Sequence, residues 1–161
     1  MKENDIDEEE LNGIMEYEFK RVKECGILDY GFKIKLKKEN DYTKWVMIVR
    51  APEDSDYYGG QYLIEVEFMK DYPLNTPKII FKTPIYHCNV KENGELEANW
   101  LEKGITIDCI MSRLLTLFYL QNPDVNENSE RSKLYKNNID EFKKNIKKNV
   151  KEEANKELEF D

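Results

Sequence analysis

The apolar residues at the start of the chain recur with the spacing of an amphipathic helix. Between residues 8 and 25 they fall at positions i, i+3, i+4, i+8 and i+11, which are Leu11, Ile14, Met15, Phe19 and Val22. This spacing places them on one helix face. The run DEEE precedes them, and acids in a first turn are stabilised by the helix dipole. We therefore predict a first helix that ends at Gly26, because glycine readily adopts the left-handed conformation found at helix ends.

After this helix the hydrophobic period changes to two, which is typical of half-buried strands. The segments FKIKLKK, KWVMIVRAP, QYLIEVEF and KIIFKT predict four strands. The turn DSDYYGG and the proline-containing KDYPLNTP connect the last three of them. Consecutive strands with short connections indicate an antiparallel meander, and its solvent face carries the lysines of the first strand.

The remainder of the chain predicts a long loop followed by helices. Residues 83–103 show no clear period, and loops of this length are usually functional or mobile. A core helix follows, with apolar residues at Ile107, Ile110, Met111, Leu114, Leu115 and Phe118. A final helical region from residue 129 carries Leu134, Tyr135, Ile139, Phe142, Ile146 and Val150. We expect one α+β domain over residues 1–161, with its core at about 8–150 and a charged tail at 151–161 that extends the last helix or frays.

Composition and charge argue against several classes of protein. A hydrophobic fraction of 40% argues against disorder. A net charge of -8 disfavours nucleic-acid binding, because phosphates require a basic surface. No apolar run approaches the ~20 residues of a membrane span, and the acidic start is unlike a secretory signal. The cysteines Cys25, Cys88 and Cys109 form neither a metal pattern nor a disulfide framework. We expect no metal, no other cofactor, and a location in the cytoplasm, the nucleus or both.

Four motifs, taken in order, resemble the ubiquitin-conjugating enzyme family over about residues 8–150. They are YYGGQYLIEVEF, DYPLNTPKIIFKTPIYHCN, GITIDCIMSRLLTLFYLQNPD and LYKNNIDEFKKN. The resemblance implies that family's α+β fold, with an N-terminal helix, a four-stranded antiparallel meander sheet, and then central and C-terminal helices. It also implies transfer of ubiquitin or a ubiquitin-like modifier through a thioester on one cysteine. A nearby asparagine would donate a hydrogen bond to the oxyanion of the attacked carbonyl.

The residues at the family's active-site positions depart from its pattern. His87 and Asn89 match the family's His-Pro-Asn turn, and Cys88 replaces the proline. The resemblance places the nucleophile eight residues after Asn89, at Glu97, and a carboxylate cannot form the thioester. The segment from Glu97 to Trp100 is also shorter than in the family. The resemblance therefore implies a non-catalytic variant that acts in modifier conjugation as a binding cofactor or scaffold.

Two other interpretations of these residues are open. Cys88 has the right chemistry to accept an acyl group, which would make the protein an active but divergent conjugating enzyme. The second interpretation is that the chain is a protein-interaction domain outside the ubiquitin pathway. Asn89 is either an oxyanion donor or a residue that satisfies the local backbone. His87 is expected to be a structural hydrogen-bonding residue, and Glu97 a solvated loop residue.

The resemblance also implies where partners bind. In the family, the outer sheet face binds the modifier non-covalently, and its candidates in this chain are Lys33, Lys35 and Lys37. Candidates for contact with a ligase or an active conjugating enzyme are Leu74, Trp100 and Leu101. The first helix begins with acids where the family has basic residues, so steering toward the usual partners should be weakened or redirected.

Overall fold

The computed structural model describes residues 6–160, in which one helix, a four-stranded sheet and three further helices follow one another. Helix α1 spans Glu8–Glu24 and begins at Asp7, whose side chain accepts a hydrogen bond from the backbone N–H of Glu10 at 2.8 Å. The strands are β1 Phe32–Lys38, β2 Asp41–Arg50, β3 Gln61–Glu67 and β4 Lys78–Phe81. The later helices are α2 Ile107–Leu117, α3 Glu130–Asn137 and α4 Ile139–Asn149. This order confirms the predicted α+β fold.

The sheet is a continuous antiparallel meander in the order β1-β2-β3-β4. On β2, the core side is formed by Trp45, Met47 and Val49, which are completely buried. Side chains alternate across a strand, so Val46 and Ile48 face the opposite side, which we call the outer face. Helix α1 contacts β2, and the hydrophobic core lies between the sheet and the helices.

The buried stripe of α2 differs from the predicted one at one position. Leu117 is completely buried, whereas Leu115 is only half-buried. At 3.6 residues per turn, Leu117 lies about 60° around the helix from Leu114 and Leu115 about 100° from it. Leu114 is at the centre of the stripe, so the predicted burial of Leu115 was wrong and Leu117 takes its place.

The ends of two predicted helical regions also differ from expectation. Helix α1 ends at Glu24, and Gly26 does not have a positive φ; it begins a 3-10 turn over Gly26–Tyr30. The final region is two helices, because Asn138, with φ -152° and ψ 83°, leaves the helical conformation. Its side chain accepts a hydrogen bond from the backbone N–H of Glu141 and so caps α4. The first residue of α4, Ile139, is 40% exposed.

The chain after α4 returns to the sheet. A turn of π-helix spans Val150–Ala154, and both of these residues belong to the buried core. Residues 155–160, which we call the tail segment, then reach the outer face. The backbone N–H of Leu158 donates to Oε1 of Gln61 at 2.8 Å. The predicted charged tail, residues 151–161, thus begins as a helical continuation of α4 over residues 151–154, and the tail segment then leaves the helix and lies against the outer face.

Candidate functional site

The loop between β4 and α2 is irregular but firmly held. Beside β4, the backbone N–H of Phe81 donates to Gly94 O at 2.7 Å, and that of Leu96 donates to Ile79 O at 3.0 Å. Gly94 has a φ of 92°, and a Cβ atom there would lie 2.2 Å from Phe81 O. Only glycine fits this turn without displacing the strand. The loop thus continues the sheet by a further strand-like segment, and this fixes the site residues relative to the core.

The same loop places Glu97 beside Asn89. The backbone N–H of Glu97 donates to Asn89 O at 2.9 Å. The Glu97 side chain is half-buried, and its Oε1 accepts a hydrogen bond from Nδ2 of Asn126 at 3.3 Å. Asn126 lies just after the NPD motif. This hydrogen bond therefore connects the loop that carries Glu97 with the NPD segment, which the sequence analysis identified separately.

His87 is completely buried and ties the loop to the end of α2. Its Nε2 lies 2.8 Å from both Leu117 O and Leu120 O. Its Nδ1 accepts a hydrogen bond from the backbone N–H of Asn89 at 3.0 Å. Burial lowers the pKa of the imidazole to about 4, so the ring is neutral near pH 7. The ring has no route to solvent, and its geometry is that of a structural hydrogen-bonding residue.

The side-chain amide of Asn89 is engaged at both ends. Its Nδ2 donates to Asn122 O at 2.9 Å, and its Oδ1 accepts from the backbone N–H of Asn122 at 2.9 Å. The residue is 1% exposed. This geometry favours a role in fixing the local backbone over donation to a developing oxyanion, which needs a donor aimed at the reacting carbonyl.

The thiol of Cys88 is buried. The residue is 2% exposed, and its Sγ lies 3.8 Å from Arg131 O. Burial raises the pKa of the thiol to about 11, so almost no thiolate is present near pH 7. The other two cysteines lie elsewhere: Cys25 is half-buried after α1, and Cys109 is exposed on α2. The geometry gives Cys88 the properties of an inert structural cysteine.

Arg131 is a structural residue of the site that the sequence analysis did not identify. Its Nη1 donates to Ile85 O at 3.0 Å and to Val90 O at 2.9 Å, and its guanidinium lies 4.9 Å from the ring centroid of Tyr86. It therefore holds the loop from both sides of His87. These partners are 46 and 41 residues away in the chain, and no sequence motif connects residues at that separation.

The predicted partner-binding residues differ in accessibility. Trp100 and Leu101 are 6% and 7% exposed, and the Trp100 indole donates to Arg113 O at 3.0 Å. Leu74, which is 54% exposed, is the one of this group whose side chain is available to a partner. On the outer face, Lys33 is exposed. Lys37 forms an ion pair with Glu65 at 3.2 Å, and Lys35 lies against the tail segment.

The described part of the chain contains neither a metal cluster nor a membrane-spanning helix. Residues 6–160 contain no group of three or more His, Cys, Asp or Glu side chains arranged to hold a metal ion. Within the same residues, no helix combines the length and the apolar composition needed to cross a bilayer.

Comparison with known proteins decides the family. Residues 15–150 match the family described as ubiquitin-conjugating enzyme. The chain belongs to the ubiquitin-conjugating enzyme family. This confirms the family predicted from the sequence motifs, and membership implies interaction with ubiquitin and with the activating enzymes and ligases of that pathway.

Individual relatives cover most of the chain. A probable ubiquitin-conjugating enzyme, E2 31, of Arabidopsis thaliana is 30% identical and aligns with 74% of this chain and 80% of its own length. A probable ubiquitin-conjugating enzyme of Acanthamoeba polyphaga mimivirus, L460, is 33% identical over 72% of this chain and 76% of its own. Among solved structures, a Plasmodium yoelii protein provisionally assigned as a ubiquitin-conjugating enzyme superposes with a TM-score of 0.75. It is 26% identical and covers 89% of this chain and 95% of that chain.

Proposed function

We propose that this protein is a non-catalytic member of the ubiquitin-conjugating enzyme family. It acts in the conjugation of ubiquitin or a ubiquitin-like modifier as a binding cofactor or scaffold, in the cytoplasm or the nucleus. The observation that carries the proposal is the position of Glu97. Its backbone is hydrogen-bonded to Asn89 O at 2.9 Å, at the position where the family resemblance puts the nucleophilic cysteine.

The chemistry at this position supports the proposal. Accepting a modifier from a thioester requires a thiolate, because thioester exchange moves an acyl group from one sulfur to another. A carboxylate would form an anhydride with the acyl group, which water hydrolyses readily. Asn89, already engaged at both ends of its amide, is poorly placed to help an attacking amine.

The active alternative requires Cys88 to act as the acyl acceptor. Cys88 is adjacent to Asn89 in the chain, but its Sγ points into the domain toward Arg131 O and the residue is 2% exposed. A modifier's carboxyl terminus would have to enter the core to reach that sulfur. Burial raises its pKa, which further lowers the population of the reactive thiolate.

A charging assay tests the proposal. The protein is incubated with activating enzyme, modifier and ATP, with an active conjugating enzyme as positive control, and the products are run on a non-reducing gel. We expect no adduct that disappears with reductant. Such an adduct, if lost in Cys88→Ser but retained in Cys109→Ser, would overturn the proposal in favour of the active enzyme.

The scaffold role has its own measurement. Titration of the labelled protein with ubiquitin and, separately, with a charged conjugating enzyme is followed by NMR. The proposal predicts binding to at least one of them. Absence of both an adduct and binding to either partner would contradict the proposal and favour the alternative of an interaction domain outside the pathway.

A further inference from the structure

The outer face of the sheet carries apolar side chains that the core does not use. Val46 and Ile48 of β2 are 8% and 4% exposed, yet they point away from the helices and are not part of the core cluster. In the strand register, Ile48 lies opposite Leu63 of β3, and Val46 lies opposite Lys35 of β1. The middle of the outer face is therefore an apolar strip that is shielded from solvent on the side opposite the core.

The tail segment crosses this strip. Its Leu158 is hydrogen-bonded through the backbone to Gln61 on β3, and its Phe160 ring lies 4.9 Å from Nζ of Lys35 on β1. Strand β2 lies between β1 and β3. The chain must therefore pass over β2, the strand that carries the apolar strip, on its way from Leu158 to Phe160.

The tail segment has the exposure pattern of an extended chain lying on a surface. Leu158 and Phe160 are half-buried, whereas Glu157 and Glu159 are exposed. This alternation directs the apolar side chains to the sheet and the carboxylates outward. On the sheet, the strip is flanked by the lysines of β1, which are complementary in charge to an acidic segment.

We propose that the outer face is a binding site for a short extended peptide of alternating apolar and acidic residues, and that the tail segment is its displaceable occupant within the same chain. The apolar side chains supply the affinity by covering Val46 and Ile48. The acidic residues favour the approach to Lys33, Lys35 and Lys37. A partner that uses this face must first displace Phe160 from Lys35.

The attachment of the tail segment is weak enough for such displacement. Two half-buried apolar side chains, one backbone–side chain hydrogen bond and one cation–π contact join it to the sheet. None of the ion pairs among residues 6–160 includes Glu157 or Glu159. By contrast, Ala154 is 1% exposed within the core. The segment can therefore leave the sheet from a pivot after Ala154 while the domain stays folded.

A pair of matched variants tests the docking itself. Leu158→Ser with Phe160→Ser removes the two side chains that face the sheet, and Glu157→Ser with Glu159→Ser changes the two that face solvent. We expect the first variant to shift the backbone amide NMR signals of Lys35, Ile48 and Leu63 to the positions seen when residues 155–161 are deleted. The second variant should leave those signals in place, and signals from α2 should stay unchanged in all variants.

Addition of the missing peptide completes the test. A synthetic peptide of residues 155–161, added to the deleted protein, should move the same signals back toward their wild-type positions. Unshifted signals at Ile48 and Leu63 after deletion would overturn the proposal. If the wild-type signals change on dilution, the tail segment on the sheet comes from a second copy of the protein. That result would also overturn the proposal.

Competition with a modifier rests on the proposed function, whereas docking of the tail segment does not. The variant with Leu158→Ser and Phe160→Ser is therefore titrated with ubiquitin in parallel with the wild-type protein. We expect severalfold tighter binding when the tail segment is released, with shifts at Lys33 and Lys35. If both proteins bind ubiquitin with equal affinity although the first experiment shows docking, the tail segment does not compete with ubiquitin. The peptide site itself would then still stand.

Discussion

The imidazole of His87 accepts a hydrogen bond at Nδ1 from the backbone N–H of Asn89, at 3.0 Å. This single contact fixes the tautomer. Because Nδ1 accepts, the ring proton must be on Nε2, where the carbonyl oxygens of Leu117 and Leu120 each lie at 2.8 Å. A protonated ring would lose the Asn89 contact, since Nδ1 would then carry a hydrogen of its own.

We therefore predict that His87 stays neutral, with its proton on Nε2, from pH 8 down to about pH 5. It is the only histidine in the chain, so its ring signals are identified without further variants. Nitrogen NMR shifts of the ring distinguish the two tautomers and the protonated form. Titration of the folded protein near pH 6.5, the ordinary value for histidine, would contradict the buried geometry.

The buried imidazole of His87 should make the protein less stable as the pH is lowered. The pKa of His87 is about 4 in the folded protein and near 6.5 in the unfolded chain. Between these values the unfolded chain binds more protons, so the free energy of unfolding should fall as the pH is lowered from about 6.5 to about 4. Urea unfolding of wild type and His87→Gln over this range measures the effect, and the variant should show a shallower slope.

Cysteine reactivity should differ sharply between Cys88 and Cys109. The exposed Cys109 should react first with an alkylating reagent near neutral pH, whereas Cys88, buried and with a raised pKa, should react only when the protein unfolds. Mass spectrometry of peptides after timed labelling gives both rates. Cys88→Ser and Cys109→Ser serve as matched controls, and labelling of Cys88 as fast as Cys109 in the folded protein would restore it as a candidate nucleophile.

Two leucines three positions apart should respond differently to truncation. Leu117 is completely buried on α2, and Leu120, just after the helix, is 54% exposed. Leu117→Ala should cost about 2–5 kcal/mol of unfolding free energy, through lost burial and the cavity that remains. Leu120→Ala should stay within about 0.5 kcal/mol of wild type. Urea unfolding measures both, and equal losses would show that the helix is rotated from the position described above.

The hydrophobic pattern of the sequence predicted the helices and strands better than it predicted where they end and what they contact. Strands and the central helix follow from periodicity, which is local. The choice between Leu115 and Leu117 depends on which side of the helix faces the core, and periodicity alone does not determine this. The role of Arg131 depends on contacts with residues more than forty positions away, and the path of the tail segment depends on the shape of the outer face.

Placing a thiol at position 97 should not produce efficient thioester chemistry. In Glu97→Cys we expect a trace of reductant-sensitive adduct at most, and poorer transfer to lysine than charging. The family resemblance implies a shortened segment before Trp100, and a displacement of ~1 Å at a reacting atom can cost ~10²-fold in rate. The amide of Asn89 is also engaged with Asn122.

The control for this experiment is Ala98→Cys, which places an exposed thiol one residue further along. Both variants are charged beside an active conjugating enzyme and analysed on a non-reducing gel. Robust charging and lysine transfer by Glu97→Cys alone would show that the geometry of the site is intact and that only its nucleophile is missing.

The loop beside β4 has a structural role that does not depend on catalysis. Strand β4 is the last of the sheet, and its free edge is closed by Gly94 and Leu96 through hydrogen bonds to Phe81 and Ile79. An uncovered edge exposes backbone groups that pair readily with other chains. Replacing this loop by a short linker should therefore increase the protein's tendency to self-associate, which size-exclusion chromatography over a range of concentrations would measure. The loop that carries Glu97 thus also protects the edge of the sheet from pairing with other chains.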